Sequence, residues 1–101
     1  MKKINDKNFY DILKNNKLVL IEWSSEYCMQ CVALEPTMKK LEGKYPNIKF
    51  YSANINDVNK HATIYGIMSL PTIIIFKDGE NVHQFYGNLP IDVFEKELDK
   101  L

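Results

Sequence analysis

Six consecutive residues, Leu18-Val19-Leu20-Ile21-Glu22-Trp23, constrain this chain more than any others. Apart from Glu22 the run is apolar and does not alternate, so it does not read as a strand with one wet face. It reads as a strand covered on both faces, which calls for helices on either side of a sheet. The run is also far too short to cross a bilayer, as is the β-branched run Thr72-Ile73-Ile74-Ile75-Phe76. Glu22 leaves two readings open. It marks the exposed end of the strand, or it is a half-buried carboxylate whose proton affinity desolvation raises.

The flanking segments supply the helices. Asp6 is placed to cap a helix running to about Lys14, with Phe9, Ile12 and Leu13 on one face. Asn15-Asn16-Lys17 then breaks the pattern. Beyond the first strand, Leu34, Met38, Leu41 and Tyr45 recur at helical spacing, with Pro36 as an internal kink and Gly43 and Pro46 as terminators. Ile48 to Ala53 reads as the next strand. Asn56-Asp57 caps a short helix carrying Val58, Ala62 and Tyr65, and Gly66 stops it. Thr72 to Phe76 and Val82 to Tyr86 pair through the Asp78-Gly79 turn. Pro90 opens a last helix whose face is Ile91, Phe94, Leu98 and Leu101. With a short edge strand at Met1 to Ile4, the order is β-α-β-α-β-α-β-β-α. This is an α/β domain over residues 1–101, its mixed sheet of four to five strands flanked by about four helices.

The chemistry sits at the handover from the first covered strand to the long helix. The only two cysteines, Cys28 and Cys31, stand three positions apart there. The first N–H groups of a helix lack intrahelical partners and carry partial positive charge, so they stabilise a thiolate. A free thiol with a pKa of about 8.5 is only roughly 3% ionised at neutral pH, and a pKa near 7 raises that above tenfold.

Composition narrows the partners. The 101 residues carry 13 basic and 13 acidic side chains, and every cation is a lysine. A nucleic-acid module would show a basic excess with arginine forks, so that partner class is not expected. No polybasic patch offers itself to a membrane. The N-terminal lysines are followed by no apolar core, so a secretory signal is not expected and the cytoplasm is the default compartment. In a reducing compartment a close cysteine pair means redox or metal chemistry more often than a staple.

Taken together, Cys28-Met29-Gln30-Cys31, Pro36 five positions later, Leu70-Pro71-Thr72 before a strand, the Asp78-Gly79 hairpin and Gly87 resemble the thioredoxin family over nearly the whole chain. The resemblance implies a thioredoxin fold in which Pro71 is cis and lies beside the cysteine pair. It implies a protein disulfide oxidoreductase in which Cys28 attacks a partner disulfide and Cys31 resolves the mixed disulfide. Glu22 stands where the family carries a buried aspartate, and so becomes the candidate general acid/base. Tyr27, Met29, Gln30, Ser69, Leu70 and Pro71 become the docking surface, with Leu70 offering backbone groups to an extended substrate. The implied partners are disulfide-containing proteins and a recycling reductase. No cofactor is implied beyond the redox-active disulfide, and a monomer is expected.

The chain also departs from the family pattern. Met29-Gln30 replaces Gly-Pro between the cysteines, Ser24 and Tyr27 replace tryptophans, and Ser52 replaces a lysine near the buried acid. Two other readings of the cysteines remain open. One is a subunit-bridging metal or iron–sulfur site, two cysteines being half of a four-ligand set. The other is a binding scaffold without turnover. His61 and His83 read as ordinary surface or internally satisfied residues.

Overall fold

In a computed structural model of residues 1–101 the covered strand sits at the centre of a five-stranded sheet. The elements in chain order are β1 (Lys2–Lys3), α1 (Phe9–Asn15), β2 (Leu18–Ser24), α2 (Met29–Lys44), β3 (Lys49–Asn54), α3 (Asn59–Ile64), β4 (Thr72–Lys77), β5 (Glu80–Tyr86) and α4 (Ile91–Leu98). The sheet order is β1-β3-β2-β4-β5. β3 runs parallel to both β1 and β2, whereas β4 is antiparallel to β2 and to β5.

The covered strand sorts its side chains by parity. Leu18 and Leu20 enter a core beneath α2 and α4, with Leu34, Met38, Leu41, Phe94 and Leu98. Val19, Ile21 and Trp23 enter a second core with Phe9 and Leu13 of α1 and Val58 before α3. β4 does the same, sending Ile73 and Ile75 one way and Ile74 and Phe76 the other. Glu22 shares the parity of Leu18 and Leu20, which puts it on the α2 side of the sheet.

The turns follow local chemistry. Asp78 and Gly79 both have positive φ, 52° and 83°, as a two-residue hairpin turn that follows the sheet's twist requires. Gly66 stops α3 at φ 63°. Two capping expectations need correction. Asp6 does not cap α1, which begins at Phe9 after an Asn5–Asn8 turn in which the Asn5 carboxamide accepts from Lys7 N and Asn8 N. Asn56-Asp57 does not cap α3, which has no side-chain cap of its own and starts at Asn59. Instead, Asp6 crosses over to accept from Lys60 N and His61 N at the start of α3, each at 3.1 Å, and from His61 Nδ1 at 2.6 Å. The N-terminal segment thus caps a helix over 50 residues away in sequence. Gly43 does not terminate α2, which continues through Lys44, and Pro90 immediately precedes α4 instead of lying in its first turn.

The cross-cap carries a prediction. Asp6→Ala should lower the urea midpoint, and the amides of α3 should lose hydrogen-exchange protection before those of β2. Uniform loss across both elements would refute a cap local to α3.

Candidate active site

The site forms where one end of the sheet meets the start of α2. Trp23 is level with Ala53 of β3 and Thr72 of β4, and Thr72 is level with Tyr86 of β5. The carboxyl ends of β2, β3 and β5 therefore gather at the beginning of β4. In α/β sheets this end, where connections diverge, is the usual place for a site. The loop leaving Ser24 carries Cys28 to the N-terminus of α2.

Cys28 holds the N-cap position of α2 in extended backbone, and its Sγ accepts a hydrogen bond from Cys31 N at 3.1 Å. That donor is one of the orphaned N–H groups of the first turn, so the dipole and the bond both favour negative charge on this sulfur. The two cysteines are joined in a disulfide, with Cα atoms 5.2 Å apart. They are not equivalent: Cys31 is 4% exposed, while Cys28 is only partly covered. A visiting disulfide can reach Cys28 more readily than Cys31.

The proline bend lies against this turn. The Leu70–Pro71 bond is cis. Pro71 O accepts from Gly87 N at 2.9 Å, and a Cβ added to Gly87 would lie 3.7 Å from Gln30 Oε1. Gly87, at φ 84°, therefore links the bend to the residue preceding Cys31. Ser69 O accepts from Thr72 Oγ1 at 2.7 Å and closes the bend. Neither the N–H nor the C=O of Leu70 is used in the chain's backbone hydrogen bonding, so both are free to pair with an added strand. Tyr27 (93% exposed) and Met29 (83%) flank Cys28 in the chain and stand out into solvent, as does Met68 (96%) two residues before Leu70, apolar side chains suited to protein docking. The structure thus places Cys28, Gln30 and Cys31 on one turn and links it to the Pro71 bend through Gly87, with Tyr27 and Met29 adjoining the turn and Ser69 and Leu70 adjoining the bend.

Glu22 is not the exposed end of a strand. It is 3% exposed, deeper than a half-buried position, and its Oε2 has no hydrogen-bond partner in the chain. It opens onto a cleft of about 380 Å³ that Cys31 also lines, together with Ser24, Ser52, Glu35 and Lys39. Burial, helped by the charge of Glu35 and opposed by the N-terminal amine, raises its pKa to about 7. Ser52 lies directly beside it in the β2–β3 register and offers no charge. A carboxyl that is half ionised near neutrality, sharing a cleft with the buried sulfur, can accept or return a proton there. Sequence reasoning missed Glu35, although Cys31, Glu35, Lys39 and Glu42 follow one another at helical spacing on α2 and all line this cleft.

The histidines belong elsewhere. His61 is held by Asp6 and stacks on Phe9 at 3.9 Å between ring centroids, and His83 packs beside Phe85 at 4.5 Å. No group of three or more His, Cys, Asp or Glu side chains is placed to hold a metal ion. No helix is long and apolar enough to cross a membrane.

Comparison with known proteins agrees with this geometry. A family model described as thioredoxin matches residues 1–100. Thioredoxin 2 of Chlorobaculum tepidum is 34% identical over 97 residues, covering 94% of this chain and 89% of that protein. Thioredoxin-2 of Pyricularia oryzae is 33% identical over 86 residues, covering 85% of this chain, which spans only 50% of that longer relative. Among solved structures, mitochondrial thioredoxin 3 of Saccharomyces cerevisiae, oxidised form, superposes with a TM-score of 0.92 at 24% identity. It covers 100% of this chain and 95% of its own.

Proposed function

The chain belongs to the thioredoxin family, and we propose that it reduces disulfides in protein substrates by dithiol–disulfide exchange and is itself restored by a reductase. The Cys28 thiolate attacks one sulfur of the substrate disulfide, forming a mixed disulfide and releasing the first substrate thiolate. Cys31 gives its proton to the Glu22 carboxylate and attacks Cys28 Sγ, releasing the second. The substrate gains two electrons and the chain keeps the Cys28–Cys31 disulfide. Two electrons from a reductase return both thiols.

The observation that carries this reading is the asymmetry of the pair. One sulfur is reachable and held by a helix-start N–H at 3.1 Å, and the other is buried beside a carboxyl. Tyr27, Met29 and Gln30 supply the docking surface on one side, and Ser69, Leu70 and Pro71 the strand-pairing edge on the other. The roles as scaffold or bridging metal site are not favoured, since the relatives are thioredoxins. The place of action we assign is the cytoplasm, where the electrons that this reduction consumes are supplied.

The test is thermodynamic. Equilibration with graded redox buffers should give one reversible two-electron transition lost in Cys28→Ser, about 30 mV changing the oxidised-to-reduced ratio tenfold. A pair that stays oxidised, or reduced, across the range accessible to cellular thiols would defeat the reading.

A further inference from the structure

We infer that Glu35 is a positioning residue that shifts the pH range of resolution by acting on Glu22 from the mouth of the cleft the two share with Cys31. This rests on the resolving role given above to Cys31 and Glu22. Glu35 lies four residues beyond Cys31 on α2, one helical turn on, and its side chain is exposed while Glu22 is 3% exposed. Both line the same cleft, and Glu22 Oε2 has no hydrogen-bond partner in the chain.

Of the other groups around that cleft, the N-terminal amine opposes Glu35, and desolvation adds to it. Ser24 at the end of β2, Ser25 in the loop after it and Ser52 of β3 are all uncharged. From α2 come Glu35, Lys39 and Glu42. The N-terminal amine of Met1 is drawn to Glu42 Oε1 at 3.3 Å. Glu35 is the carboxylate whose field reaches Glu22, and a like charge disfavours ionisation of its neighbour. Glu22 accepts the proton of Cys31 only when ionised. Burial does most to hold resolution back on the acid side, and Glu35 adds to it, moving the acid limit further toward neutral pH. Removing its charge should let resolution persist at lower pH.

The decisive measurement does not depend on turnover. Glu22 carrying a carbon-13 label at its carboxyl is titrated by NMR in the full-length reduced protein. The midpoint should fall in Glu35→Gln and fall further in Glu35→Lys. In a disulfide-reduction assay the acid limb of the rate profile should move in the same order. In the Glu22→Gln background, Glu35→Gln should leave the limb where it is. An unmoved Glu22 midpoint overturns the inference, as does a Glu35 effect that survives in the Glu22→Gln background. Should the chain fail to reduce disulfides while the Glu22 midpoint still moves, the proposed function fails and the electrostatic link stands.

Discussion

Cys31→Ser should stop turnover and leave substrate proteins covalently attached through Cys28, as adducts that survive denaturation and vanish with excess dithiothreitol. The more accessible sulfur at the start of α2 keeps its helix-start N–H donor, which belongs to the backbone of residue 31 and not to its side chain. The first attack therefore proceeds. The second cannot, because the hydroxyl of serine does not displace a thiolate from a disulfide. Well-oriented intramolecular groups reach effective concentrations of about 10⁵ M or more, so millimolar external thiol falls short of Cys31 by many orders of magnitude. Turnover should drop to background. Cys28→Ser should show neither turnover nor capture, because the remaining sulfur is 4% exposed. Non-reducing gels of the two variants with a model disulfide protein decide the point. Capture by Cys28→Ser and not by Cys31→Ser would exchange the two roles, and normal turnover by Cys31→Ser would end the two-step scheme.

What could be read from the sequence divides by the range of the interaction involved. The strand Leu18–Trp23, the Asp78-Gly79 hairpin and the Gly66 stop are decided by near neighbours, and each stands where the pattern put it. The cysteines at a strand-to-helix handover are local as well. The start of α3 was not legible, because its cap comes from Asp6, and only the packing of the N-terminal segment brings that carboxylate across. Read locally, Asp6 belongs to α1 and Asn56-Asp57 to α3, and both assignments fail for the same reason. Glu22 was ambiguous because a strand's pattern does not say which face a helix will cover. Parity with Leu18 and Leu20 puts it under α2, and that became visible only once the sheet order placed β2 at the centre. Glu35 escaped notice because on a helix map it is one more charged residue on a wet face. Its meaning comes from the cleft opposite.

The same burial makes Glu22 costly to the fold, and that cost has a defined pH window. In the unfolded chain its pKa is 4.5, and in the folded chain it is raised to about 7 by desolvation first and by Glu35 second. For a carboxyl whose folded pKa is raised, the native state holds the proton more tightly than the unfolded state. Its contribution to stability is fully present below pH 4.5 and is lost as pH rises through the folded value near 7. Every tenfold difference in proton affinity between the two states is worth about 1.4 kcal/mol, so the loss across the window is about 3 kcal/mol, a large share of a small domain's stability. Glu22→Gln carries no titrating group and should not lose it. Urea unfolding of the two proteins from pH 4 to 8 should show the variant gaining on the native chain as pH rises. At an m value of about 1–3 kcal/mol per molar, the change in the midpoint difference is on the order of 1–3 M urea. The pH dependence of the difference is the readout, because the buried amide adds a constant penalty of its own. The same substitution should slow disulfide reduction and alter its pH profile, since the proton acceptor for Cys31 is gone. A midpoint difference that stays constant with pH would mean that Glu22 ionises as readily folded as unfolded. The carboxyl would then be available as a base well below neutrality, and burial would not be what governs its proton affinity.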